Sequence, residues 1–309
     1  MRSAPRVSVY VLHWNAAERL ATTMQLLTKS SGVACDITVV DNASRPEQRQ
    51  LVDQVAAGSR VVALPVNSGY AGAANTALGD FLGRAGDDEW CVLAAHDARV
   101  APDTLSELMT AAATSNDFGV LAPVHWSKDF TRPTTIGGRW GAGGLQRARL
   151  VRASRSPHNG ATGAVDVRWA SGALLAVRAA CARSTGGFDE RLFAYWEDVD
   201  FCLRAADAGW RVGVVMGAAA AESGSTASPF AQSYFMARNH VLLARSRLGT
   251  ARTWLVIAVV IGMALQAQVG ASLPWRPADR RGASRAYARG RWLGVRDGIV
   301  NRGGPAPCA

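Results

Sequence analysis

The chain is 309 residues long, 49% hydrophobic and 19% charged, which excludes a disordered chain and leaves room for one large α/β domain with an appendage. Its net charge of +10 is confined to one end: residues 1–222 hold 22 Lys and Arg against 22 Asp and Glu, whereas residues 223–309 hold 12 Arg against Asp279 and Asp297 alone. Such a tail suits an anionic membrane surface or an anionic lipid-linked substrate. Nucleic acid is not expected as a partner, because the tail lacks a Lys-rich, aromatic-interleaved stretch.

In chain order, Val7 to His13 is short, apolar and β-branched, the pattern of a buried central strand. Asn15 and Glu18 are spaced as a capping box, which predicts a helix to about Lys29. Strands are expected at Ile37 to Val40, ending on Asp41, and at Arg60 to Leu64. Asn67 to Leu78 reads as a glycine-rich turn opening a helix, and Trp90 to Ala95 as a strand that delivers His96 and Asp97. Strands alternating with helices predict a largely parallel sheet, and such sheets bind ligands at the carboxyl ends of their strands. His13, Asp41 and Asp97 all fall there. Residues 125–165 read as hairpins or loops, Val165 to Arg178 as one long strand, Trp196 to Ala208 as an acid-led helix stopped by Gly209, and Trp210 to Val215 as the last strand.

Residues 253–275 form a run of 23 without a charge, long enough to span a bilayer. Arginines flank it on both sides, and Gln266 and Gln268 interrupt it. A helix lying in the membrane interface or packed on the α/β domain fits better than a span. The five cysteines, Cys35, Cys91, Cys181, Cys202 and Cys308, make no Cys-x-x-Cys pair and no Cys/His cluster, so neither a disulfide framework nor a zinc site is expected. The chain enters its first strand with no apolar leader, which points to a cytoplasmic setting, peripheral on the inner face of the cell membrane.

The blocks VSVYVLHWN, ITVVDNAS, NSGYAGAANTAL, CVLAAHDARVAPDTL, WASGALLAVR and GGFDERLFAYWEDVDFCLRAADAGWRV occur in this order. Together they resemble the family 2 glycosyltransferases of the GT-A fold, in particular the bacterial rhamnosyltransferase-like branch, over about residues 6–248. The closing RGRWLGVRDGIVNRGG is similar to tails of that branch. The resemblance implies a GT-A catalytic domain over 1–222 and a basic, helical, membrane-associating segment over 223–309. It implies inverting transfer of a sugar, rhamnose in that branch, from a nucleotide-diphosphate donor to a hydroxyl of a glycan or lipid-linked acceptor. By position, Asp198 is the implied catalytic base. His13, Asn15, Asp41, Asn67, Gly69 and Asn75 would line the donor site, and Trp196 and Glu197 would face the acceptor. Asp97 and Glu222 would hold a divalent cation, Mg²⁺ or Mn²⁺, both of which take oxygen ligands.

Two positions depart from the family pattern. Ala95 stands where an acid or Asn usually opens the metal motif, and Glu222 stands where a His is common. These departures keep a non-catalytic nucleotide-sugar-binding relative open. A polyprenyl-phosphate sugar synthase, whose acceptor needs no base, is open too. The acids at Glu197, Asp198 and Asp200 also suit the first turn of any helix, where the macrodipole favours negative charge. Asp200 reads as a structural partner of Arg204, and His13 and His96 read as structural histidines.

Overall fold

Val7, Val9 and Val11 of strand β1 (Arg6–His13) face one side of a sheet, and Tyr10 and Leu12 face the other; all are buried. That alternation follows from the period of two along a strand, and both faces are apolar because helices cover both. The computed structural model describes residues 5–135, 137–140, 146–148, 163–224, 227–273 and 277–307. After β1 come α1 (Ala17–Thr28), β2 (Ala34–Asp41), α2 (Pro46–Val55), β3 (Arg60–Ala63), α3 (Gly69–Leu82), β4 (Trp90–Ala95), β5 (Ala98–Val100) and α4 (Thr104–Thr114). The middle holds β6 (Phe118–Trp126), β7 (Pro133–Thr135), β8 (Gly138–Trp140), β9 (Gln146–Ala148), β10 (Ala164–Val167), β11 (Leu174–Arg178) and α5 (Ala179–Thr185). A 3-10 turn (Glu190–Leu192), α6 (Glu197–Asp207), β12 (Arg211–Glu222), α7 (Pro229–Arg247), α8 (Thr250–Ser272) and α9 (Ala278–Ile299) complete the chain.

The main sheet has the order β10-β12-β6-β11-β4-β1-β2-β3, with β5 on β12 and β7 on β6. Strands β4, β1, β2 and β3 are parallel and in step: His13 pairs with Asp41, and Leu12 with Ala95. Their carboxyl ends therefore form one edge. β11 runs antiparallel between β4 and β6, which returns the chain to that edge just before Leu174. Below the sheet α1 and α4 bury Leu20, Leu27, Leu105 and Leu108 completely, each contributing about 1.5–3 kcal/mol. Above it lie α3, α5 and α6.

The structure changes several expectations. The capping box does not form: Asn15 sits at φ 50 and its side-chain oxygen accepts from the Arg45 amide at 2.8 Å. The Gln48 side chain caps α1 instead, accepting from the Ala17 amide at 3.0 Å. Asn15 is thus recruited by the start of α2, a helix that the apolar pattern did not announce. The single strand expected from Val165 to Arg178 is two. β10 pairs with β12 and β11 with β4 and β6, and the turn between them carries Ser171 and Gly172. The last strand runs to Glu222 rather than Val215. β6, buried along its whole length, is not among the expected strands, and only its last two residues enter the segment read as hairpins or loops. That segment holds β7 and the β8–β9 hairpin, and part of it falls outside the described residues. Cys91, Cys181 and Cys202 are free and buried, as small apolar residues are, while Cys308 lies outside the described residues.

The closing helices pack tightly because α9 presents Gly290, Gly294 and Gly298 to α7. A side chain at 294 would put its Cβ 2.4 Å from the Tyr234 carbonyl oxygen and 2.9 Å from Ala237 Cβ. Backbone cannot yield as a flexible side chain can. Gly294→Val should therefore lower stability by at least about 1–3 kcal/mol, read as a fall in Tm. Gly282→Ala on the same helix, where a Cβ meets nothing within 4 Å, should leave Tm unchanged or slightly higher. Equal behaviour of the two variants would refute close packing at this seam.

Candidate active site at the carboxyl edge of the sheet

Four carboxylates gather at this edge, each brought by a different piece of chain geometry. Asp97 sits in the turn from β4 to β5. Thr23 of α1 pins that turn by donating to the carbonyls of His96 at 2.8 Å and Ala98 at 3.0 Å. The Asp97 carboxylate lies 3.6 Å from the Arg19 guanidinium. Glu222 ends β12, paired across to Ala98, and its carboxylate meets His125 Nδ1 at 3.4 Å and the Ser171 hydroxyl at 3.4 Å. Glu197 and Asp198 open α6. Asp198 accepts from the Gly172 amide at 2.8 Å and from the Val199 amide at 2.7 Å. Adjacent residues of the β10–β11 turn thus hold one acid each, Ser171 on Glu222 and Gly172 on Asp198. Tyr70 of α3 fixes the same turn by donating to the Gly172 carbonyl.

The electrostatics follow from crowding. Desolvation at the crowded edge pushes the Glu222 carboxyl up to about 7, helped by the charges of Asp97 and then Asp198, although 44% of its side chain still meets solvent. Burial also raises Asp198, against the pull of its two amides, and raises Glu197 well above the ordinary carboxylate range, with the Asp198 charge adding to it. Burial moves two histidines the other way, His13 and His125 each to about 4, so both are neutral near pH 7. A site with surplus negative charge and hard oxygen donors fits a hard divalent cation. Among the described residues no three metal-ligating side chains are already gathered. Asp97 and Glu222 would accordingly contribute two ligands, with diphosphate oxygens and water supplying the rest, as Mg²⁺ sites commonly do.

The donor candidates lie along the neighbouring strand ends. Asp41 is 2% exposed, with one oxygen 3.3 Å from Arg49 and the other without a hydrogen-bond partner. His13 is 1% exposed, and neither ring nitrogen has a partner. It is therefore not the satisfied structural histidine that its position in a strand suggests. Its ring meets His96 edge-on at 5.3 Å, which joins the Asp41 side of the edge to the Asp97 side. Asn67 caps Gly69 and accepts from Asn42 at 3.0 Å. Asn75 is committed to the protein: its amide accepts from the Phe188 amide at 2.7 Å and donates to Glu190 at 2.9 Å, which fixes the GGFDE loop. Trp196 is buried and stacked on His240 at 4.5 Å. Asp200 takes Arg204 at 2.7 Å, the i,i+4 pair expected. Next to Asp97 and the end of β12, a cavity of about 510 Å³ is lined by Arg99, Ser127, Lys128, Asp129 and Arg132.

Sequence reasoning missed His125, Ser171, Gly172, Tyr70 and Asn42. Their only signal in the chain is proximity to a motif, and Gly172 lies in the block WASGALLAVR.

The raised Glu222 carboxyl has a sign that can be tested. The folded state keeps this proton up to about pH 7 while the unfolded chain loses it near its ordinary 4.5. Ionisation of Glu222 therefore costs stability as pH rises through that window, and the full cost is present above it. In chelator, the Tm of Glu222→Gln relative to the native chain should climb from pH 4 to pH 8. Mn²⁺ should narrow the gap at pH 8. A difference independent of pH would show that Glu222 is not in this field.

The family model for glycosyl transferase family 2 matches residues 8–166. An N-acetylglucosaminyl-diphospho-decaprenol L-rhamnosyltransferase of Mycobacterium tuberculosis is 29% identical over 216 residues, covering 62% of this chain and 67% of its own. Among solved structures, a mannosyltransferase from Pyrobaculum calidifontis, in complex with GDP-Man and Mn²⁺, superposes with a TM-score of 0.58 at 17% identity, covering 96% of this chain and 88% of its own. GalNAc-T7, with UDP, GalNAc and Mn²⁺, gives a TM-score of 0.56 at 12% identity, covering 93% of this chain and 55% of its own. The sheet order, the site at its carboxyl edge and these likenesses agree on the GT-A fold, and the chain belongs to glycosyl transferase family 2.

Proposed function

We propose that this chain is an inverting glycosyltransferase that moves a sugar, rhamnose by analogy with its relative, from a nucleotide diphosphate to a hydroxyl of a lipid-linked envelope glycan. The observation that carries this reading is Asp198. It is a carboxylate aimed by two backbone amides, at the same edge as Asp97 and Glu222. A neutral sugar hydroxyl is a poor nucleophile, so its proton must pass to a base as the new bond to the anomeric carbon forms. Asp198 takes that proton, while the donor's bond from anomeric carbon to phosphate oxygen breaks and the nucleoside diphosphate leaves from the opposite face. Glu197, whose burial favours the neutral carboxyl, stands beside Asp198 on the acceptor side. Asp97 and Glu222 would hold a divalent cation, which would supply positive charge for the leaving diphosphate. Asp41 and His13 keep free polar atoms for the nucleoside.

The acceptor side carries matching charge. Arg99, Lys128 and Arg132, with Asp129 among them, line the cavity beyond the end of β12, where Arg99 pairs with Ala221, and the excess of cations suits the phosphates of a lipid-linked acceptor. The closing helices suit its lipid. α8 is long and apolar enough to cross a membrane, with a mean hydropathy of 1.9. One face of it packs on α7 and α9 through Val256, Ile257 and Val260, while Trp254, Leu255, Leu265 and Val269 are each half exposed or more. A span is disfavoured by its neighbour: Arg291 of α9 donates to the Met263 carbonyl in the middle of α8 at 2.8 Å. An arginine at the bilayer centre costs at least about 2.5–3.5 kcal/mol. α8 therefore lies in the interface of an anionic membrane, on the cytoplasmic side, with Arg252, Arg280 and Arg285 among the exposed cations around it.

Asp198→Asn preserves shape but cannot accept a proton. It should cut the turnover number by about 10²–10⁴-fold while nucleotide-diphosphate affinity stays within a few-fold. Asp97→Ala should abolish stimulation by Mn²⁺ or Mg²⁺. Normal turnover of Asp198→Asn in a transfer assay would remove the hydroxyl-activating role. For the membrane, Leu255→Glu with Leu265→Glu should release the protein from phosphatidylglycerol-containing vesicles in co-sedimentation. Undiminished binding by that pair would place the contact elsewhere.

A further inference from the structure

The segment leading into α6 adopts a backbone conformation that L side chains avoid. Phe193, Tyr195 and Trp196 have φ of 61, 66 and 71, and none is glycine. Such a segment persists only where its surroundings dictate it. It runs directly into Glu197 and Asp198. On one side it leans on the start of α3, where the Phe193 carbonyl accepts from the Ala71 amide at 3.1 Å. Gly69 is needed there, because a Cβ would lie 2.2 Å from that same oxygen.

The other side is held from α7, in the segment that composition sets apart as a basic tail. Asn239 donates its side-chain amide to the carbonyls of Leu192 at 2.7 Å, Ala194 at 2.8 Å and Tyr195 at 2.7 Å. Arg238, with no exposed surface, donates to Leu192 at 2.9 Å, to Arg191 at 3.1 Å and to the Gly304 carbonyl near the end of the chain. Its Nε orients the Asn239 amide at 2.8 Å. His240 stacks on Trp196, and Phe235 stacks on Phe193 at 5.2 Å. Burying a guanidinium is unfavourable, and an apolar side chain would fill the space at lower cost. These bonds do something packing cannot: they go to main-chain carbonyls and so dictate the shape of the segment.

We infer that Arg238, Asn239 and His240 are positioning residues for sugar transfer, a latch through which α7 sets the backbone of residues 192–196 and with it the place of Glu197 and Asp198. This rests on the catalytic reading of Asp198. The closing RGRWLGVRDGIVNRGG then has a role, since its glycines seat α9 on α7 and its Gly304 anchors Arg238.

The test uses the full chain with Asn239→Ala, His240→Ala and His240→Phe, the last keeping an aromatic stack. Hydrogen–deuterium exchange would be followed over residues 190–199, with transfer kinetics and binding of UDP, GDP and dTDP. Asn239→Ala and His240→Ala should exchange at least tenfold faster in that segment alone. Their turnover number should fall tenfold or more, with nucleotide affinity within threefold of native. His240→Phe should stay close to native in all three. Faster exchange with native turnover would overturn the positioning role, and so would unchanged exchange. Should Asn239→Ala fail to fold, the two His240 variants decide the matter. A native protein that transfers no sugar removes the catalytic reading instead, and the exchange result still decides whether the latch holds the segment.

Discussion

Like charges brought together at one edge of a sheet repel, and the remainder of this structure is arranged to keep them there. Asp97 comes from the β4–β5 turn, Glu197 and Asp198 from the start of α6 and Glu222 from the end of β12. Desolvation first, and then the charges of Asp97 and Asp198, raise the Glu222 carboxyl to about 7. Among the described residues no lysine or arginine hydrogen-bonds Asp198; two backbone amides do the holding. Amides orient a carboxylate without fixing its protonation state as firmly as a full cation would, which would suit the proton-accepting role proposed for Asp198.

The holding elements form a ring around the acids. The β10–β11 turn supplies Ser171 and Gly172, α3 supplies Tyr70, α1 supplies Thr23 and Arg19, and α7 supplies the bonds to residues 191–195. α7 also carries the pair Arg247 to Asp207 at 2.7 Å, which ties it to the far end of α6. Both ends of the acid-bearing helix are therefore referenced to α7, and α7 packs in turn against the helices that present the apolar face. A lipid-linked acceptor and the acids that act on it would meet on one rigid body.

Much of the edge was legible because a parallel sheet makes position along a strand equivalent to position in the site. Asp41 and Asp97 needed only the ends of two apolar runs to be placed, and Asp198 needed only the block that carries it. What stayed hidden depends on contacts distant in sequence. Asn15 looks like a cap for α1, yet residues 44 and 45 claim it. Val165 to Arg178 holds one turn signal, Ser171-Gly172, and the change of strand partners on either side of it makes that signal a break. The arginines after residue 222 look alike in composition. Arg238 is nevertheless buried among carbonyls, Arg245 bonds the Ile299 carbonyl at 3.0 Å, and Arg252 faces solvent. Charge counted along a chain cannot separate a cation that organises backbone from one that meets a membrane.

The same acids bear on which nucleophile the site accepts. A phosphate acceptor brings its own negative charge and needs cations at the point of attack. In the proposed reaction the point of attack would be bordered by Glu197, Asp198 and Glu222, carboxyls raised by desolvation before like charge, and further negative charge there would be disfavoured. A neutral hydroxyl meets no such barrier, and it needs the base that a phosphate does not. The cations line the neighbouring cavity instead, at Arg99, Lys128 and Arg132. Asp129 lies among them, so the cavity is mixed in sign with cations in the majority, and on the proposed reading those cations would meet an acceptor's phosphates while the carboxylates stand where a proton must leave.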